Sequence, residues 1–201
     1  MKRSELFHPI VFSEQEWADG YYKRNARNIA MTGKRLAGIL NKSGFNGGKI
    51  LDVGCGFAAV PIEIAKVFRD VEIIGIDLAD PLLMLGDTLV EKAGFKNKIT
   101  LLNGDAQNIQ FDTDSFDVII NSYLVHIIEN PVTMLNEIER VAKPDAKIII
   151  TDLRRGLLAL FFKKFKTALT LEEAKDLFIK SEIRNGNFSN GPFWWDYVTG
   201  L

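Results

Sequence analysis

Cysteine is nearly absent from this chain of 201 residues, which contains a single one, Cys55. One thiol cannot form an intrachain disulfide, and it is too few for a cysteine-based zinc site. This scarcity fits a reducing compartment, so we expect a cytoplasmic protein. A disulfide-stabilised scaffold and a zinc-finger function are both excluded.

Long apolar runs and an excess of charge are missing as well. The longest apolar patch, residues 157–162, is far too short to span a bilayer, and residues 1–17 lack the apolar centre of a secretory signal. The chain has 25 Lys and Arg against 26 Asp and Glu. Without a basic surplus we expect neither a nucleic-acid partner nor a membrane surface.

What the chain does contain is an alternation of strand and helix patterns. Predicted strands lie at 49–53, 71–76, 98–102, 116–121 and 146–151, and residues 188–198 form a weakly alternating tail. Strands such as VEIIGI are apolar at nearly every position, as expected when both faces of a sheet are covered. The pattern predicts an α/β fold with a doubly wound, mostly parallel seven-stranded sheet and a C-terminal antiparallel hairpin. Residues 1–201 are expected to form one domain.

Capping signals mark the predicted helices. Residues 14–41 have apolar positions at helical spacing, with interruptions expected near Gly20 and Gly33. Asp80 followed by a proline reads as the N-cap of a helix that ends at Gly94. Further helices are predicted at 57–68, at 131–141 and, behind a capping box at Thr170, to about residue 183.

A glycine-rich corner, in the stretch LDVGCGFAA at 51–59, follows the first predicted strand. Gly54, Gly56 and Ala59 fit the G-x-G-x-x-G/A spacing of a dinucleotide site. In an open α/β sheet the ligand binds beyond the carboxyl ends of the strands, where this corner lies. Because such corners serve several cofactors, the spacing alone leaves the ligand open.

Two carboxylates at strand ends favour one kind of ligand. Asp52 precedes the glycines and would repel the pyrophosphate of a dinucleotide, whereas it would attract an ammonium group. Asp77 ends the second strand and is placed to accept hydrogen bonds from ribose hydroxyls. The two residues indicate a nucleoside with a cationic arm and no phosphate, a description that S-adenosylmethionine (SAM) fits.

Five ordered segments resemble the motifs of class I SAM-dependent methyltransferases, in particular the small-molecule type that includes quinone-biosynthesis enzymes. They are ILDVGCG at 50–56, IIGIDLADPLL at 73–83, LLNGDAQNIQF at 101–111, FDVIINSYLVHII at 116–128 and NEIERVAKPDAKIIITD at 136–152. The resemblance implies a Rossmann-like fold and SAM as cofactor. Ala58 replaces a glycine that is frequent in the family, a change that we expect to cost little because alanine is nearly as small.

The resemblance also implies roles for individual residues. The expected cofactor-binding residues are Asp52, Gly54, Cys55, Gly56, Asp77, Leu78, Asp105, Ala106, Gln107, Asn121 and Tyr22. The expected substrate-binding residues are Trp17, Tyr21, Tyr123 and Arg154. Residues 1–45 would form a helical lid over a core of residues 46–201.

His126 is the candidate catalytic residue, because it follows the fourth strand where related enzymes often place an active-site histidine or aromatic residue. A plain structural histidine is an equally good interpretation. Cys55 is interpreted as a small residue lining the cofactor site rather than a nucleophile. Asp112, Asp114 and Asp117 are interpreted as turn residues, and no metal site is expected.

The sequence therefore predicts a methyltransferase that transfers a methyl group from SAM to a small-molecule acceptor by in-line displacement. Two alternatives stay open: a non-catalytic SAM-binding or regulatory protein and, with less support, an NAD(P)-dependent oxidoreductase. The acceptor is not specified by these residues. Formation of a homodimer is also left open.

Overall fold

A computed structural model of the chain describes residues 14–156 and 165–200, so the apolar patch at 157–162 and His8 lie outside the described part. The helices are α1 (Gln15–Lys42), α2 (Ala59–Val67), α3 (Asp80–Lys92), α4 (Pro131–Val141) and α5 (Leu171–Ile179). The strands are β1 (Gly47–Val53), β2 (Asp70–Asp77), β3 (Ile99–Asn103), β4 (Phe116–Ser122), β5 (Ala142–Leu153), β6 (Asn187–Asn190) and β7 (Trp194–Val198).

The strands of the described part form one seven-stranded sheet in the order β3-β2-β1-β4-β5-β7-β6. The first five strands pair in parallel, whereas β7 is antiparallel to both β5 and β6. Strand β7 is thus the only reversed strand of this sheet. The predicted doubly wound sheet with a C-terminal antiparallel hairpin is confirmed.

Apolar side chains cover both faces of the sheet, because successive residues of a strand point to opposite sides. The cluster on the side of α1, α2 and α3 includes Leu36, Leu40, Ile50, Ile64, Ile73 and Val118. The cluster on the side of α4 and α5 includes Leu51, Val53, Ile119, Met134, Leu135 and Phe178. The carboxyl ends of β1 to β4 are therefore held in fixed positions along one edge of the sheet.

Helix α1 is continuous, so the expectation of interruptions at Gly20 and Gly33 is wrong. A glycine inside a helix costs only about 1 kcal/mol relative to alanine. At Gly33 close packing compensates for this cost, because an added Cβ would lie 2.9 Å from the Cβ of Glu63 and 3.1 Å from the Cα of Val60. Neither α1 nor another described helix is long and apolar enough to cross a bilayer.

Two other helix boundaries differ from expectation. Ala79, not Asp80, is the N-cap of α3, and the Asp80 carboxylate instead accepts a hydrogen bond from Asn103 at 2.6 Å. Helix α5 ends at Ile179, four residues before the predicted end. Its capping box is confirmed, because the Thr170 side chain accepts the Glu173 amide while the Glu173 side chain accepts the Thr170 amide.

Candidate cofactor and active site

A cavity of about 690 Å³ opens at the carboxyl ends of β1 to β4. The loops after these four strands form most of its wall, and the N-terminal part of α1 closes one side. Among the predicted site residues it is lined by Trp17, Tyr21, Gly54, Cys55, Gly56, Asp77, Leu78, Asp105, Ala106, Gln107 and Tyr123. The structure thus brings together residues that are far apart in sequence.

Several residues of the wall were not predicted. They are Ile29, Phe57, Ile76, Ala79, Leu82, Gly104, Ser122, Leu124, Ile127, Ile128 and Glu129. Most are apolar, and an apolar residue facing a ligand has the same sequence pattern as one facing the core. Only the position of a residue relative to a strand end could have identified some of them. Gly104 lies just past the end of β3, and Ser122 is the last residue of β4.

The glycine corner uses its own N–H groups within the protein. The amides of Gly54 and Cys55 donate to the Ile76 carbonyl at 2.8 and 3.0 Å, and the Gly56 amide donates to Asp77 Oδ2 at 2.8 Å. Gly54 and Gly56 have φ angles of 77° and 52°, which favour glycine. Since a pyrophosphate requires free N–H groups at this place, the corner is poorly suited to a dinucleotide.

Asp52, in the central strand β1, is the least satisfied polar residue of the site. Its carboxyl group is 1% exposed, and neither oxygen has a hydrogen-bond partner among the described residues. Burial and, to a smaller extent, the nearby charge of Asp77 together raise the pKa of Asp52 to about 8. Asp52 does not reach the cavity wall, but it lies two residues before Gly54, which does.

Asp77 ends β2 and lines the cavity. Its two oxygens accept the amides of Gly56 at 2.8 Å and Ala79 at 2.9 Å. Burial raises the pKa of Asp77, and these backbone hydrogen bonds oppose that shift. Each carboxylate oxygen keeps a further lone pair, so the group can accept additional donors from a ligand.

Aromatic side chains of α1 form one side of the cavity. The rings of Trp17 and Tyr21 stack with centroids 5.2 Å apart. Burial raises the pKa of Tyr21 to about 12, so its hydroxyl stays a hydrogen-bond donor at neutral pH. Tyr22 is not part of the wall, because its ring packs edge-on against Phe57 at 5.2 Å.

Two residues of α1 make polar contacts with the loop after β4 and with strands β5 and β7. The Thr32 hydroxyl shares a hydrogen bond of 2.6 Å with the Tyr123 hydroxyl. One turn later, Arg35 donates to Asp196 of β7 at 2.6 Å and to Thr151 of β5 at 2.8 Å. Tyr123 has a φ angle of 61°, a left-handed conformation that is unfavourable for a bulky residue.

His126 lies in the loop after β4 and is paired with a residue that sequence reasoning missed. Asp152, at the end of β5, accepts the His126 amide at 2.9 Å and contacts the His126 Nδ1 at 2.5 Å. Asp152 is fully buried and His126 is 7% exposed. The imidazole does not line the cavity, whereas Leu124 and Ile127 on either side of it do.

Two more predicted residues are not brought to the cavity wall. The Asn121 amide is buried and donates to the Val53 carbonyl at 2.8 Å, which joins β4 to β1. Arg154 reaches away from the cavity, and its guanidinium donates to the Pro192 carbonyl at 3.3 Å. Both side chains thus donate to backbone carbonyls of other elements, while Asn121 Oδ1 has no hydrogen-bond partner among the described residues.

Neither the cysteine nor the aspartate cluster has features of a reactive site. Burial raises the pKa of the Cys55 thiol well above its usual value, and the charge of Asp77 adds to this, so the thiol stays protonated. Asp114 is in a left-handed turn, and Asp117 is bound to Lys143 at 2.7 Å. No group of His, Cys, Asp and Glu in the described residues could hold a metal ion.

Known proteins share this sequence pattern. A family model described as a methyltransferase domain matches residues 45–197. Demethylmenaquinone methyltransferase of Bacillus subtilis (strain 168) is 33% identical over 125 residues, which make up 60% of this chain and 53% of that protein. Ubiquinone/menaquinone biosynthesis C-methyltransferase UbiE of Citrifermentans bemidjiense is 34% identical over 124 residues, which are 61% and 53% of the two chains. The chain thus spans about half the length of the curated relatives it matches.

Solved structures share the fold. A SAM-dependent methyltransferase from Aquifex aeolicus superposes with a TM-score of 0.71 at 22% identity, covering 80% of this chain and 86% of its own. A protein from Methanococcus maripaludis superposes with a TM-score of 0.79 at 21% identity, covering 96% and 95%. Together with the family model, which extends over most of the chain, these findings confirm the resemblance predicted from the sequence: the chain belongs to the methyltransferase-domain family.

Proposed function

We propose that this protein transfers a methyl group from SAM to a small-molecule acceptor. The observation that carries the proposal is Asp52, a buried carboxyl group without a donor, beside a glycine corner that has little capacity left for phosphate. A ligand with an ammonium group and no phosphate fits both properties. Membership of the methyltransferase-domain family supports the reaction, as do the printed names of the curated relatives.

The residues of the cavity wall, together with the buried Asp52 two residues before Gly54, fit each part of SAM. Asp52 provides the negative charge for the ammonium group, and Asp77 has lone pairs for the ribose hydroxyls. The adenine ring would lie against Asp105, Ala106 and Gln107 in the loop after β3. The Tyr21 hydroxyl is available as a donor toward the carboxylate of SAM, a role for which Tyr22 is less suitable.

When bound, SAM supplies a methyl group that its sulfonium has already activated. The tasks left to the chain are to orient the acceptor and to exclude water. The apolar and aromatic wall formed by Trp17, Tyr21, Tyr123 and Leu124 is suited to both tasks. The relatives' names make a demethylated quinone, in its reduced form, one acceptor worth testing.

We propose His126 as the proton acceptor for this reaction, with Asp152 as its positioning residue. The contact of Asp152 with Nδ1 holds the imidazole in a fixed orientation, between Leu124 and Ile127 of the cavity wall. His126→Ala should lower turnover about 100-fold or more while the dissociation constant of SAM stays within about twofold. His8→Ala is the matched control, and equal turnover of both variants would limit His126 to holding the loop after β4.

Other features of the protein are proposals of the same kind. We retain the division into a lid of residues 1–45 and a core of residues 46–201, since α1 supplies one wall of the cavity. A cytoplasmic location and the absence of a nucleic-acid partner are supported by the single cysteine and the near balance of charge. Size-exclusion chromatography with light scattering would test for a homodimer.

Thermal unfolding with SAM, S-adenosylhomocysteine and NADH, measured side by side, tests the function. We expect stabilisation by the first two ligands and none by NADH. Stabilisation by NADH alone would replace the proposal with an oxidoreductase. If SAM binds but no methyl group reaches a panel of phenols, amines and reduced quinones, a regulatory SAM-binding protein becomes the better description.

A further inference from the structure

Asp52 lies where an ionised carboxylate is hardest to maintain. Its strand β1 is in the middle of the sheet, and its neighbours in register are Gly75 of β2 and Ile120 of β4. The side chain is almost fully buried, and within the described residues neither of its oxygens accepts a hydrogen bond. An ionised carboxylate without donors in such a place is strongly unfavourable.

The groups around Asp52 do not supply a positive charge. Asp77, at the end of β2, adds a negative charge, and burial together with the two carboxylates raises the pKa of the Cys55 thiol, which stays neutral. Tyr21 of α1 is a neutral phenol. Its pKa is raised by burial and by the nearby Asp77, Tyr123 and Asp152. The guanidinium of Arg35 is bound to Asp196 and Thr151 instead.

We propose that Asp52 holds a proton in the ligand-free protein at neutral pH and releases it when the cationic arm of the ligand binds. The inference rests on the proposed SAM-binding function and adds an exchange of one proton for one ligand cation. It makes Asp52 a specificity-determining residue. A nucleoside without a cationic arm leaves the neutral carboxyl group unchanged, whereas an ammonium group makes its ionised form favourable.

The extent of the exchange follows from the degree of burial. With a pKa of about 8, about nine in ten Asp52 side chains carry a proton at pH 7 in the empty site. Binding of an ammonium ligand should then release close to one proton per site. Affinity should rise with pH for as long as Asp52 is mostly protonated before binding.

Calorimetric titration of the full chain with S-adenosylhomocysteine, which carries the same ammonium group, tests the exchange. At pH 7, measurements in buffers of different ionisation enthalpy should give close to one proton released per ligand bound. The dissociation constant should fall about tenfold between pH 6 and pH 7. In Asp52→Asn both effects should disappear.

Adenosine is the matched control ligand, because it has the ribose and adenine but no cationic arm. It should bind without proton release and with the same affinity at pH 6 and pH 7. Proton release by adenosine would assign the proton to Asp77, near the ribose, and would overturn the inference. So would proton release that persists in Asp52→Asn.

The wild-type protein alone also provides a test if Asp52→Asn does not fold. An infrared difference spectrum should lose the carbonyl band of a protonated carboxyl group when S-adenosylhomocysteine binds and keep it when adenosine binds. Binding without loss of this band and without proton release would refute the exchange but leave the proposed function intact. Failure of both SAM and S-adenosylhomocysteine to bind would refute the proposed function itself.

Discussion

Two buried carboxyl groups, at the carboxyl ends of β1 and β5, are equally hidden from solvent but differ in their surroundings. Asp152 accepts the amides of His126 and Leu153 and lies 2.5 Å from the His126 Nδ1. Asp52 has no donor among the described residues. Because native proteins rarely leave a buried polar group unsatisfied, this difference supports the proposal that Asp52, unlike Asp152, pairs with a group of a ligand.

Removal of the satisfied carboxylate should have the largest effect on stability. Asp152→Ala leaves the amides of His126 and Leu153 buried without an acceptor, and we expect the free energy of unfolding to fall by about 3 kcal/mol. Denaturant unfolding measures this loss. Glu72→Ala, at an exposed residue with a loose ion pair of 3.9 Å, should change it by less than about 0.5 kcal/mol. Equal losses in the two variants would mean that the Asp152 carboxylate stabilises the fold no more than an exposed one, and would remove its contrast with Asp52.

Substitution of Asp77 should weaken the cofactor site directly. Asp77→Ala removes the acceptor for the ribose hydroxyls and for the Gly56 and Ala79 amides, so we expect SAM binding to weaken by about 1–3 kcal/mol. Isothermal titration calorimetry gives this value. Asp80→Ala, three residues further on and outside the cavity wall, is the control. An unchanged dissociation constant in Asp77→Ala would exclude Asp77 from the site.

The pH dependence of the free energy of unfolding should reveal the raised pKa of Asp52. Below about pH 4, Asp52 is protonated in both the folded and the unfolded chain. Between about pH 4 and pH 8 only the folded chain keeps the proton, so rising pH lowers the free energy of unfolding by about 1.4 kcal/mol per pH unit. Above about pH 8 this loss is complete.

Asp52→Asn isolates this effect, because the amide does not titrate. Without ligand, the free energy of unfolding of wild type relative to this variant should decrease by about 1.3 kcal/mol from pH 6 to pH 7. Chemical unfolding of both proteins at the two pH values gives the difference. A constant difference would mean that Asp52 is already ionised in the empty protein.

The smallest expected effect concerns the contact between α1 and the loop after β4. Thr32→Val removes the partner of the Tyr123 hydroxyl, and we expect a loss of about 1 kcal/mol. Thr100→Val, at an exposed position of β3, is the control. If the two substitutions have equal effects, the hydroxyl pair does not stabilise the left-handed backbone of Tyr123.

The sequence was most informative where a local pattern decides the structure. Strand ends placed Gly54, Asp77 and Asp105 at one edge of the sheet, and the capping box at Thr170 began a helix as predicted. Long-range pairing could not be read in this way. The partnership of His126 with Asp152 depends on β4 and β5 being neighbours, and the two residues share no motif.

Backbone conformation was a second feature that could not be predicted from the sequence. Ala58 was expected to cost little because alanine is small, yet its φ angle of 60° places it in the left-handed region. The reason for a glycine at this position is therefore conformational, and alanine there costs about 1–2 kcal/mol. The positive φ angle of Tyr123 could not be predicted either, because no residue pattern around it indicates such a conformation.

The bond between Arg35 and Asp196 has a consequence for synthesis of the protein. It joins α1, which precedes every described strand in the sequence, to β7, the last strand of the described sheet. Strands β1 to β4 can pair as soon as they emerge, but the helix carrying Trp17 and Tyr21 lacks this anchor until residue 196 has been translated. A nascent chain can therefore form the contact of α1 with Tyr123 before it can form the contact of α1 with Asp196.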